Sequence, residues 1–136
     1  MRKGTKEILD LVEDNILTAR KSVEAGLYRS ACFWAQQAIE LALKAFLAEN
    51  NVFDIYRHRT HNLRFLIEEC RKIDDSFRYL LEFGDINRVS SYAVQTRYNV
   101  LFAREVSREE AKEALELAEK VREFVLGKLN IDENRK

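Results

Sequence analysis

Apolar positions recur at three- and four-residue steps along most of the chain, the pattern of amphipathic helices. Ile8, Leu9, Val12, Ile16, Ala19 and Val23 form one stripe, opposite Asp10, Glu13, Asp14, Arg20 and Lys21. This predicts a first helix from near Thr5 to about Ala25, closed by Gly26, which takes positive φ without a Cβ penalty. The next stretch, ACFWAQQAIELALKAFL from Ala31 to Leu47, carries two apolar sets. Tyr28, Cys32, Ala35, Ile39, Ala42 and Phe46 make the first; Ala31, Trp34, Ala38, Leu41 and Ala45 widen it. Only Gln36, Gln37, Glu40 and Lys44 stay polar. A helix apolar over most of its circumference belongs in the middle of a bundle. It is expected to run from Leu27 or Tyr28 to Asn50 or Asn51, making an antiparallel hairpin with the first. Its polar stripe, costly to bury without partners, faces solvent or a polar cleft, with solvent the simpler expectation.

Val52 to Thr60 keeps no period. Thr60 or Asn62 is placed to cap a third helix whose buried face is Leu63, Leu66, Ile67 and Cys70. Asp74 and Asp75 interrupt it, and a short turn carrying Phe77, Tyr79, Leu80 and Leu81 follows. Gly84 and Asp85 mark another stop; Ile86 to about Tyr92 reads as a further helical piece, and Ser90 to Arg104 mostly as loop. Ser107 opens the clearest helix, since SREE is a capping box in which Ser107 and Glu110 satisfy each other's amides. Ala111, Ala114, Leu115, Ala118, Val121, Val125 and Leu129 supply its buried face, with Leu117 and Phe124 beside it. The terminal DENRK is expected to fray. The fold class is therefore all-α, an up-and-down antiparallel bundle of four to five helices. It forms one domain over 1–136, with its core at about 5–130.

Composition adds limits. Hydrophobic residues make up 46% and charged residues 34% of the 136, which fits an ordered chain. No run approaches the about 20 apolar residues of a membrane span. The N-terminus meets acids before any apolar run, so a signal peptide is not expected and a cytoplasmic location is. Basic and acidic residues balance at 23 each, so overall charge draws no nucleic acid. Cys32 and Cys70 fall on apolar faces and read as buried thiols. No Glu-x-x-His pair, Gly-rich phosphate loop or activated cysteine is present. His58 and His61 stand three apart without a Cys or carboxylate cluster nearby, so capping, surface or nucleotide-contact roles are expected over a metal site. No cofactor is expected. From Tyr56 to Arg104, nine Lys or Arg outnumber six Asp or Glu and interleave with aromatics. Proteins hold phosphates and stack bases with such mixtures, although core or dimer packing explains the aromatics equally well.

Four segments in order, GLYRSACFWAQQAIELALKAFLAEN, THNLRFLI, YAVQTRYN and SREEAKEALELAEKVREFV, resemble the HEPN domain. The resemblance runs from the first helix to about Val125. It implies a homodimeric helical bundle with a polar cleft near the dimer axis. It also implies a possible small nucleotidyltransferase partner in a two-component, toxin–antitoxin type system. From the same resemblance, Arg88, Tyr92, Thr96, Arg97 and Tyr98 are the candidate nucleotide-binding residues, with Lys44 and His61 as outer candidates. Arg97 would hold phosphate and Tyr98 would stack on or position it. Many members cleave RNA without metal through an Arg-x4–6-His motif, which this chain lacks. No arginine stands at 51–53 ahead of His58 or at 54–56 ahead of His61, and no histidine follows Arg88 or Arg97. Asn99 also replaces the proline that usually follows Thr-Arg-Tyr. The expectation is a non-catalytic nucleotide or partner module. The alternatives are a divergent metal-independent ribonuclease, using Arg97 with a nearby Tyr or Asn, and a purely structural dimer.

Overall fold

The computed structural model describes residues 1–83, 86–90 and 105–134. Its helices are α1 (Lys3–Glu24), α2 (Tyr28–Glu49), α3 (Leu63–Arg71), a 3-10 helix (Asp75–Glu82), α4 (Ile86–Ser90) and α5 (Arg108–Asn134). The described residues form an all-α bundle without strands. As its apolar circumference requires, α2 is central: it packs on α1, α3, α4 and α5, while α1 also meets α5. Ala31, Ala35, Ala38, Ile39, Ala42 and Leu43 of α2 are all at most 1% exposed. Ile16 of α1 and Val121 and Val125 of α5 belong to the same buried core as the alanines of α2.

The hairpin between α1 and α2 closes as the sequence implies. Gly26 takes φ 78°, the Leu27 amide donates to the Ser22 carbonyl at 2.8 Å, and the Gly26 amide to the Val23 carbonyl at 3.1 Å. That is the paired 6→1 and 5→2 bonding of a left-handed C-cap. Asn51, at φ 59°, ends α2 the same way, with Val52 donating to Leu47 and Asn51 to Ala48, both at 3.0 Å. The hairpin's other end is tied by Glu49, which accepts from the Arg2 amide at 2.9 Å and the Thr5 hydroxyl at 3.0 Å.

Asn62, one of the two candidate caps, accepts from the Phe65 amide at 3.1 Å and starts α3. The region expected to be a short turn is an eight-residue 3-10 helix, capped by Asp74, which accepts from the Ser76 amide at 3.0 Å. Phe77 holds it down, its ring 4.4 Å from Phe46 and 5.0 Å from Phe124 between centroids. At α5, Ser107 Oγ accepts from the Glu110 amide at 3.1 Å, the forward half of the capping box. The helix continues to Asn134, three residues into the tail expected to fray. The expected stop at Gly84 and Asp85, the end of the Ile86–Tyr92 piece beyond Ser90, and the loop over 91–104 lie outside the described residues. No helix among the described residues is long and apolar enough to cross a membrane.

Candidate functional site

The polar stripe on α2 is where the structure departs most from the simpler expectation. Gln36 is fully buried and Glu40 is 5% exposed, so neither faces solvent. What makes their burial tolerable is pairing. The Glu40 carboxylate accepts from His61 Nδ1 at 2.8 Å, from Lys44 Nζ at 3.0 Å and from Gln36 Nε2 at 3.3 Å. Gln36 Nε2 also reaches the His61 carbonyl at 3.2 Å, and Gln36 Oε1 accepts from Gln37 Nε2 at 2.7 Å. Ser90 of α4 closes the group, donating to the His61 carbonyl at 3.0 Å while accepting from the Leu63 amide at 2.9 Å. The row thus joins α2, the start of α3 and the end of α4.

Within this group the imidazole is the part that meets water. The His61 side chain is 37% exposed and Glu40 6%, and Lys44 is 14% exposed. Because Nδ1 faces a carboxylate oxygen, it carries a proton, and Nε2 is the ring nitrogen turned away from Glu40. A histidine oriented by a buried carboxylate is equipped to accept a proton or to contact an anion. Arg88 of α4 pairs with Glu113 of α5 at 2.7 Å. The structure therefore brings Lys44 and His61 into one cluster and places Arg88 on the same short helix as Ser90. Tyr92, Thr96, Arg97 and Tyr98 lie outside the described residues.

His58 is wired the opposite way. It was expected in a capping, surface or nucleotide-contact role, yet it is 3% exposed. The Asp54 amide donates to its Nδ1 at 2.9 Å, which places the ring proton on Nε2, 3.1 Å from Glu69 Oε1. Both ring nitrogens are occupied, so His58 has none left for a metal or a ligand. No group of three metal-ligating side chains occurs among the described residues. Glu69, 7% exposed, also binds Arg57 Nε and Lys72 Nζ, the latter at 2.6 Å. The Arg57 hydrogen bond outweighs burial and, with Lys72 and His58, lowers the Glu69 carboxyl from 4.5 to about 2. Cys32 and Cys70 are buried thiols outside any disulfide, and burial, with the nearby Glu69 charge, pushes the Cys70 thiol well above its ordinary range.

Sequence reasoning put Gln36 on the polar stripe without naming its partners, and it passed over Ser90 and Glu69. A signal existed for the first: a glutamine and a glutamate four apart on an almost wholly apolar helix must find donors. Ser90 and Glu69 stand 29 and 11 residues from the histidines they serve, and no periodicity links them. No curated protein and no solved structure matches this chain. The HEPN domain family model matches residues 6–129, nearly the whole length. With an all-α bundle around an apolar second helix, the chain belongs to the HEPN domain family.

Proposed function

We propose that this chain is a homodimeric HEPN module that binds a nucleotide phosphate, or a nucleotidyltransferase partner in a two-component system, without cleaving RNA itself. The observation that carries this reading is the Gln36–Glu40–Lys44–His61 cluster. It sets a carboxylate-oriented imidazole at the surface of the α2–α3–α4 junction. The last residue of that junction, Ser90, stands two positions before Tyr92 and seven before Arg97 in the chain. In this reading Lys44 and His61 form one wall, while Arg88, Tyr92, Thr96, Arg97 and Tyr98 supply the phosphate contact and the stacking ring. Calorimetric titration with ATP and other nucleotides tests it. Heat is expected from the wild type, with loss in Arg97→Ala and weakening in His61→Ala. Absence of heat with every nucleotide, at protein concentrations near millimolar, sinks the nucleotide version.

A second reading, divergent metal-independent RNA cleavage, draws on the same imidazole. In this reading His61 Nε2 takes a proton from an attacking 2′-hydroxyl, and an arginine, Arg97, stabilises the phosphate. Labelled tRNA incubated with wild type, His61→Ala and Arg97→Ala decides it. Cleavage that persists equally in all three comes from a contaminant.

A further inference from the structure

Three aromatic rings meet where the end of the 3-10 helix lies against α5. Tyr79 and Phe83 stand four apart at that end, and Glu116, Lys120 and Phe124 stand four apart on one face of α5. Between them is an open cleft of about 790 Å³. One wall is fixed by packing, since Phe124 sits edge-on against the fully buried Phe77, 84° between planes. Tyr79 lies over Phe124, 5.9 Å between centroids and 28° between planes. Phe83 meets Tyr79 nearly at right angles, 5.0 Å away and 72° between planes. Two planes so inclined make a corner, and Tyr79, 49% exposed, keeps part of it open to water.

What this corner attracts is visible within the chain. Lys120 Nζ sits 5.5 Å from the Phe83 ring centre, and Lys128 Nζ 5.5 Å from that of Phe124. The negative faces of aromatic rings draw cations. The carboxylates around the cleft are not equivalent. Glu119 pairs with Arg20 at 3.4 Å and Glu123 with Arg122 at 3.1 Å. Glu116 is exposed and takes no ion pair among the described residues. One unengaged carboxylate beside ring faces suits a single positive charge. A polyamine would bring its further charges against Lys120, Arg122 and Lys128. A primary ammonium is compact and strongly hydrated, so it gives up much on entering. A trimethylammonium head is bulkier, and its methyl groups bury against the rings.

We propose that the cleft between the 3-10 helix and α5 binds a small molecule with a trimethylammonium head, seated in the Tyr79–Phe83 corner with its charge toward Glu116. Lys120 is then the resident competitor, since its ammonium covers the Phe83 face that the ligand needs. The inference is independent of nucleotide binding, because the cleft shares no residue with the Gln36–Glu40–Lys44–His61 cluster.

Titration of the full chain with choline, followed by amide chemical shifts in two-dimensional NMR, tests it. Choline is expected to move the signals of Tyr79, Phe83 and the Glu116–Phe124 segment together. The neutral isostere dimethylbutanol, with a carbon in place of the charged nitrogen, is expected to bind about tenfold more weakly. Tyr79→Leu and Glu116→Gln, both at exposed positions, should each weaken choline several-fold with an unchanged circular dichroism spectrum. Lys120→Met should tighten it by removing the competitor. Equal binding of choline and its isostere overturns the proposal, as does an unchanged affinity in Tyr79→Leu or Glu116→Gln. So does a spectrum that choline leaves unmoved at tens of millimolar, or weaker binding in Lys120→Met.

Discussion

Glu69 ties the α2–α3 loop to α3, because Arg57, His58 and Lys72 all converge on it. Its folded carboxyl titrates at about 2 against an ordinary 4.5. A depressed acid stabilises the folded state above its unfolded value, and that stability is lost as pH falls through the folded one. Thermal melts of wild type and Glu69→Gln across pH should therefore differ most near neutrality, by about 1–3 kcal/mol. The two curves should converge between pH 4.5 and about 2. A gap that stays constant with pH would remove the ionic part of this account. Gln36 gives a second expectation. Gln36→Leu leaves Glu40 and the His61 carbonyl each short of a donor, and urea denaturation should show a loss of about 1–3 kcal/mol. At this scale the sequence was only half legible. The spacing of Glu40 and Lys44 announced an ion pair, and the apolar setting of Gln36 announced a need for partners. The opposite wiring of His58 and His61 was not readable, because each depends on where distant backbone brings an amide or a carboxylate.

Among the elements, the caps were the most readable parts, since capping chemistry is local. Gly26 and Ser107 act as their residue types require. Ser107→Ala should cost about 1 kcal/mol in urea melts by leaving the Glu110 amide without its hydroxyl acceptor. The 3-10 helix was the least readable. Its buried residues Phe77 and Leu80 stand three apart, one turn of a tighter helix, and Asp74 and Asp75 break the 3.6-residue pattern just before it. Packing rather than propensity holds it: Phe77 is fully buried between Phe46 and Phe124. Phe77→Ala should cost about 3–5 kcal/mol, and hydrogen exchange should show the loss of protection concentrated in Asp75–Glu82. Uniform loss across α1 and α2 would mean that this helix is no separate unit of stability.

For the molecule as a whole, periodicity alone announced a helical bundle, because three long apolar faces can be buried only against one another. The polar cluster was harder to foresee, since it forms where three elements meet and no one of them contains it. The same burial governs the thiols. Cys32 and Cys70 are fully covered, and Cys70 Sγ lies 3.6 Å from the Leu43 carbonyl. Neither should react with a thiol reagent at pH 8 in the native protein, and both should react once it is unfolded in urea. Fast labelling of the native chain would show an opening motion in the α2–α3 contact.

The row Gln36, Glu40 and Lys44 also limits how this protein can change its length over generations. Inserting one residue between Tyr28 and Gln36 would rotate everything beyond it by about 100°. A glutamate and a lysine would then point among the alanines and valines shared with α1 and α5, and His61 would lose its counterpart. Within α2, residues can therefore be exchanged one for one, but neither gained nor lost.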